Sequence, residues 1–194
     1  MDEKAYAGAI GEVLESLGKM MNDAQKFFFS RDKRALKETE KTFARHLKSS
    51  LPLFEETAAK KEKTERDEGF IALLPALQRI GMGAGDLLRG IRTTLEAEIS
   101  FTDKALGEIG EIMALVKDLA RDANDVLVTR NARFREYALA SARHILDRVD
   151  KCGLEHQQRL VVGICSPKPS FVYLDVMHSL KRLAADLAAL MESA

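Results

Sequence analysis

Apolar residues recur at steps of three and four along almost the whole chain, and no strand-like alternation interrupts them. That spacing lines them up on one stripe of an α-helix. The pattern predicts six long helices. The first runs from Glu3 to Ser30 on Ile10, Leu14, Leu17, Met21, Ala24 and Phe28. Ser30-Arg31-Asp32 reads as a turn, with Asp32 as the N-cap of the second helix. This second helix starts near Lys33, with Leu36, Thr39, Phe43, Leu47, Leu51 and Phe54 on its inner face. Pro52 lacks an amide proton, which predicts a kink or break near Ser49–Leu51. The run from Lys60 to Glu68 has charges of both signs and no apolar face, so it reads as a solvated connection or frayed helix ends. The third helix spans about Gly69 to Glu98 on Leu73, Leu77, Ile80, Ala84, Leu87, Leu88 and Ile91.

The fourth helix starts behind Thr102 as N-cap and carries Leu106, Ile109, Met113, Val116, Ala120, Ala123 and Leu127. The fifth covers about Ala132 to Val162 on Phe134, Ala138, Ile145, Val149 and Cys152. Gly163 to Ser170 is the clearest loop, because two prolines cannot sit in a helix interior; Ser170 then caps the sixth helix, to Met191. Its stripe is Tyr173, Leu174, Met177, Leu180, Leu183, Leu187, Leu190 and Met191, while Asp175, Lys181, Arg182 and Asp186 fall off it. The fold class is all-α.

The halves echo each other in order. Ala9-Ile10-Gly11-Glu12 answers Ala105-Leu106-Gly107-Glu108, and Ala44-Arg45-His46-Leu47 answers Ala142-Arg143-His144-Ile145. Leu77-Gln78-Arg79-Ile80 answers Leu180-Lys181-Arg182-Leu183. The expected organisation is two tandem three-helix repeats, residues 1–98 and 99–194, packed into one elongated bundle. Gly81, Gly83, Gly85 and Gly90 inside the third helix each cost on the order of 1 kcal/mol against Ala, which points to close approach of a neighbouring helix. They lack the strand-turn-helix context of a phosphate-binding loop.

Composition narrows the function classes. Hydrophobic residues make up 46% of the 194 and charged residues 31%, enough for a core and a polar surface. Lys+Arg and Asp+Glu both number 30, which argues against nucleic acid as a partner. No apolar run approaches the roughly 18 residues of a membrane span. The acidic start MDEKAYAGAI is unlike a signal peptide, so a cytoplasmic protein is expected. Cys152 and Cys165 have no metal-ligand spacing and no identifiable base, and they read as reduced thiols.

Several pairs invite a chemical reading. Asp118 and Asp122 share a helix face and could share a cation, with Arg121 between them. Asp175-Val176-Met177-His178 is one imperfect copy of a di-iron ligand pair, with no second copy to complete it. His46 and His144 hold matching places beside Arg45 and Arg143, as a paired proton- or anion-responsive site would. Arg79 and Arg182 also match, and suit either acids on neighbouring helices or a partner protein. Nothing supports a nucleophile, so no catalytic, cofactor-binding or metal residue is assigned and an enzyme is not expected.

The tandem three-helix pattern, with an arginine signature on each third helix, resembles the PhoU family. Ile99-Ser100-Phe101-Thr102-Asp103-Lys104-Ala105-Leu106 looks like the family's entry into its second repeat. Tyr173 to Leu183, YLDVMHSLKRL, looks like its last-helix signature. Lys181 within it is most similar to the PhoU-like cytosolic domains of bacterial sodium/phosphate cotransporters. The resemblance implies an all-helical cytosolic accessory or regulatory protein of phosphate uptake. It implies contact with a phosphate transporter or a phosphate-sensing kinase as partner, a possible homodimer, and a membrane reached only indirectly through a transporter. Many members also hold metal clusters on an acidic E/D-x-x-x-D motif in each third helix. That motif falls here on Gln78–Met82 and Lys181–Ala185, where both acids are missing twice, so no metal or other cofactor is carried over. The alternatives are a metal-binding helical protein, or a structural helical interaction module unrelated to phosphate.

Overall fold

The computed structural model describes residues 3–30 and 33–193. Seven helices follow in order: α1 (Glu3–Ser30), α2 (Lys33–Ala58), α3 (Glu65–Ala72), α4 (Leu74–Glu96), α5 (Asp103–Thr129), α6 (Ala132–Val161) and α7 (Pro167–Glu192). No strand occurs among the described residues. Six of these are the long helices expected. The short α3 is the start of the expected third helix, set off from α4 at Leu73. Pro75 sits in the first turn of α4 and has no amide to give the preceding turn, so Leu73 closes α3 by donating to Phe70 O at 3.1 Å.

Four helices make the middle of the bundle. α1 lies along α5 and α4 lies along α7, while α2 packs on α1 and α6 packs on α5 and α7. Both central pairs are antiparallel: Gly11 faces Asn124 and Gly110 faces Gln25, while Gly83 faces Leu183 and Gly90 faces Val176. One end of the bundle therefore gathers the ends of α1, α4 and α6 with the starts of α5 and α7. The apolar stripes merge into one core from Tyr6 to Met191. Burying each Leu or Ile in it contributes about 1.5–3 kcal/mol.

Four local expectations change. α2 runs through Pro52 without a break to Ala58. The hydroxyls of Ser49 and Ser50 donate to His46 O and Leu47 O at 2.8 Å, adding bonds in the turn that the proline crowds. Leu51 is 37% exposed instead of inward; Ser50 and Thr57 are buried in its place. α7 starts earlier than expected, because Pro167 and Pro169 both lie in its first turn, where a missing N–H costs nothing. Ser166 is its N-cap, and Ser170 sits inside the helix, its hydroxyl donating to Ser166 O at 2.8 Å. The expected turn at Arg31-Asp32 and its cap lie outside the described residues.

The α4 glycines divide by what they face. A methyl at Gly83 would meet Leu183 Cδ2 at 3.1 Å, and one at Gly90 would meet Val176 Cγ2 at 3.1 Å. These are the close approaches to α7. Gly81 faces the Leu47 side chain of α2, and Gly85 faces open space. Gly85→Ala is therefore expected to raise the unfolding free energy by about 1 kcal/mol, the helix-propensity difference alone. A shift of the urea midpoint at unchanged slope measures it.

Candidate functional site

The sequence pairs do not converge. Arg121 of the same helix lies 3.8 Å from Asp118 and 3.6 Å from Asp122, so both carboxylates already have a cation beside them. Burial pushes the Asp122 carboxyl above its ordinary range, and the arginine opposes that. Asp175 and His178 are both exposed on α7. His46 Nδ1 lies 3.9 Å from Glu12, whereas His144 is exposed on α6. Their helices pack on different neighbours, and no hydrogen bond or ion pair joins the two rings among the described residues. Cys152 and Cys165 are buried free thiols, and burial holds the Cys152 thiol protonated.

Arg79 and Arg182 do find acids, and reciprocally. Arg79 Nε on α4 donates to Asp186 on α7 at 2.6 Å, and Arg182 Nη1 on α7 donates to Asp86 on α4 at 2.9 Å. Asp186 is thus buried, although it falls off the apolar stripe. Lys181 donates to both oxygens of Asp150 on α6, at 2.5 and 2.7 Å. At the four motif positions, Gln78, Met82 and Ala185 are exposed and Lys181 is an ion-paired cation. No three His, Cys, Asp or Glu side chains converge among the described residues in a way that could hold a metal ion. This donor set does not fit a carboxylate-held cluster: a bound ammonium and a methyl stand where anionic oxygens are needed.

The polar chemistry is buried elsewhere, at the two ends of the bundle. At the first, Glu108 of α5 is 2% exposed. Its carboxylate accepts two hydrogen bonds from Arg159 of α6, at 3.1 and 2.7 Å, and one from the Tyr173 hydroxyl of α7 at 2.6 Å. Lys104 stands 3.6 Å away on the solvent side. Three helices are thus tied by one carboxylate with a bidentate partner. Burial, then the bond to Glu108, pushes the Tyr173 hydroxyl far above its ordinary value, so it stays a donor.

His156 completes this cluster. Its ring stacks on Tyr173 with centroids 4.0 Å apart. Arg159 Nη2 lies 3.3 Å from His156 Nδ1. A guanidinium can only donate, so Nδ1 accepts and the ring is neutral with its proton on Nε2. Nε2 is buried without a partner. Burial first, then Arg159, lowers the His156 pKa, and Glu108 opposes them. The folded value therefore lies below the unfolded one near 6.5. Stability from the neutral ring is complete above about pH 6.5 and is lost as pH falls from there towards the lowered native value. Urea midpoints measured down that range should fall in the parent and fall less steeply in His156→Phe, which keeps the stack.

At the opposite end, Asp67 of α3 holds a parallel arrangement. It accepts from the Tyr6 hydroxyl of α1 at 2.6 Å and from Lys60 at 2.5 Å, and closes a capping box with Thr64. The bond from Lys60 first, then that from Tyr6, holds its carboxyl well below the usual carboxylate range. Tyr6, Phe70 and Phe54 stack in sequence at 4.1 Å spacings. The charged run Lys60–Glu68, expected to be solvated, thus contributes a buried anchor and a helix. Both ends use one carboxylate, one tyrosine and one cation from the end of α2 or α6. The acid and the tyrosine trade places between the first and the third helix of each half.

The sequence pattern does not single out these clusters at first reading, for an identifiable reason. Ala138, Ala142, Ile145, Val149, Cys152, His156 and Arg159 form one unbroken three-four stripe, and only the last two are polar. Continuing the stripe past Cys152 marks both as inward-facing polar residues, His156 buried and Arg159 partly so. Glu108 likewise falls between Ala105 and Ile112 on the buried side of α5. Nothing comparable marks Asp67, which lies in a run of like residues.

No described helix is long and apolar enough to cross a membrane. No family model matches the chain, and no curated protein sequence matches it. Solved structures do. The crystal structure of PhoU from Pseudomonas aeruginosa is similar over 99% of this chain and 93% of its own, with a TM-score of 0.80 at 15% identity. The phosphate transport system regulatory protein PhoU from Streptococcus pneumoniae is similar over 98% and 92%, with a TM-score of 0.79 at 11% identity. At such identities the likeness is one of architecture, and the architecture of this chain is the PhoU fold.

Proposed function

We propose that the protein is a PhoU-like accessory or regulatory protein of phosphate uptake. It acts by protein–protein contact with a phosphate transporter or a phosphate-sensing kinase, in the cytoplasm and without catalysis. The observation that carries this reading is the end-to-end likeness to two PhoU structures, one of them a phosphate transport system regulatory protein. The buried clusters support a structural scaffold: each carboxylate is taken up by an internal cation and a tyrosine. In this reading residues 1–98 and 99–194 are two repeats, with α1 against α5 and α4 against α7 as the joints between them. It dispenses with the family's metal cluster; Arg79, Arg182 and Lys181 are each paired with an aspartate, and these ion pairs tie α4 to α7 and α7 to α6.

Affinity capture of the full chain from its native cell, with phosphate uptake measured in a deletion strain, tests the reading. Recovery of a phosphate transporter or phosphate-sensing kinase together with altered uptake is the expected result. Unchanged uptake and recovery of neither partner would sink it.

A further inference from the structure

We propose that the C-terminal turns of α6 and the connection to α7 form an acid-operated latch: a proton on His156 releases residues 153–166 while the rest of the bundle stays closed. The site holds one charge state of the ring. Neutral His156 accepts from Arg159 Nη2 at Nδ1, 3.3 Å away, and stacks on Tyr173. A second proton turns Nδ1 into a donor that faces another donor, and Nε2 is buried with no acceptor. The charged ring thus finds an acceptor at neither nitrogen, in a place only 2% exposed.

The groups around the ring do not absorb the extra charge. Arg159 faces it from α6, Glu108 from α5 with Lys104 behind, and Tyr173 from α7. Cys152 lies one turn back on α6 among Arg148, Glu111 and Glu155, and Cys165 lies beside Arg159. Burial keeps Cys152 and Tyr173 protonated, and Arg148 is already bonded to Glu111. Glu108 is the anion at the ring, and it already accepts twice from Arg159 and once from Tyr173.

Release stays local because this stretch has few other anchors. α6 is fastened by Ala138, Ala142, Ile145, Val149 and Cys152, and beyond Cys152 its one buried residue is His156. Leu154 and Val161 face solvent and Leu160 is half-buried. The connection itself hangs on Arg159. The amides of Ile164 and Cys165 both donate to Arg159 O, at 2.9 and 3.2 Å, while the guanidinium holds Glu108. A charged His156 that drives Arg159 away therefore undoes the side-chain anchor and the turn together. The bond from Tyr173 to Glu108 joins α7 to α5 without α6 and is left in place. The acid-linked loss of stability thus appears first at this end of α6, whatever the protein's part in phosphate uptake.

The closed latch needs the neutral ring, whereas the open segment takes its proton near pH 6.5. The open population should grow by up to about tenfold per pH unit below that, until the native value is reached. Amide exchange of the full chain, followed by NMR from about pH 7.5 to about pH 5.5 and corrected for the intrinsic rate at each pH, reads it. Protection of Ile164 and Cys165 should fall by about tenfold, with the midpoint at which the His156 ring resonances titrate, while Met113 and Leu180 keep theirs. In His156→Phe, which keeps the stack and takes no proton, protection at both amides should be flat with pH whatever its level. Constant protection at Ile164 and Cys165 while the ring titrates would overturn the proposal. So would the same pH dependence in His156→Phe, or loss at Met113 in step with Ile164, which would mean that the bundle opens as a whole.

Discussion

Glu108→Ala is expected to lower the unfolding free energy by about 3–5 kcal/mol, the usual cost of breaking a buried ion pair from one side. The substitution removes three accepted bonds at once, two from Arg159 and one from Tyr173. The Arg159 side chain is 15% exposed, so the guanidinium is left charged with little water to replace the carboxylate. Arg159 Nε is already buried without a partner, which leaves this cation no slack. The loss should appear in urea unfolding as a lower midpoint. Tyr173→Phe removes one bond to a charged acceptor and should cost about 1.5–3 kcal/mol. Glu108→Leu combined with Arg159→Met and Tyr173→Phe removes both charges together with the hydroxyl that would otherwise lose its acceptor, and should recover most of the loss, because a hydrophobic replacement of a buried pair is often neutral. If this triple substitution were as damaging as Glu108→Ala, the cost would come from lost specific bonding and not from an orphaned charge.

The cluster also shows where sequence reasoning stops. Helix class, order and most boundaries were legible because apolar spacing is a direct consequence of helix geometry: Leu77, Ile80, Ala84, Leu87, Leu88 and Ile91 are all buried as their stripe requires. Arg79 and Arg182 were visible as matched positions, but their acids were not, since each acid lies on the facing helix of the antiparallel α4–α7 pair, Asp186 for Arg79 and Asp86 for Arg182. Pro52 and Pro169 misled because a proline's penalty depends on its place in the helix and its neighbours, which propensity averages over. Asp67 was invisible because burial of a charge in a charged run is decided by Tyr6, far away in the chain. Distant partners of this kind set the site, and pattern along one helix cannot name them.

The second large effect lies at the α4–α7 joint. Leu183→Ala should cost about 2–5 kcal/mol, the range for a fully buried leucine whose cavity the surroundings fill only in part. Leu183 is 0% exposed, and its Cγ and Cδ2 stand 3.2 and 3.1 Å from where a Gly83 methyl would be. Gly83→Ala alone gains about 1 kcal/mol of helix propensity but must push Leu183 aside, an overpacking cost of about 1–3 kcal/mol. Its net effect is expected to be a loss, opposite in sign to Gly85→Ala on the open side of the same helix. Together the two substitutions at the joint should cost less than their sum by about 0.5–2 kcal/mol, because the new methyl enters the space Leu183 vacates. Denaturant midpoints of the two single variants and the double variant close this cycle. Strict additivity would mean that the two positions do not share one space, and would contradict the close approach of α4 to α7. A shortfall in the expected range would show that Gly83 is there for the fit of Leu183, which is the physical reason a long helix tolerates a glycine in its middle.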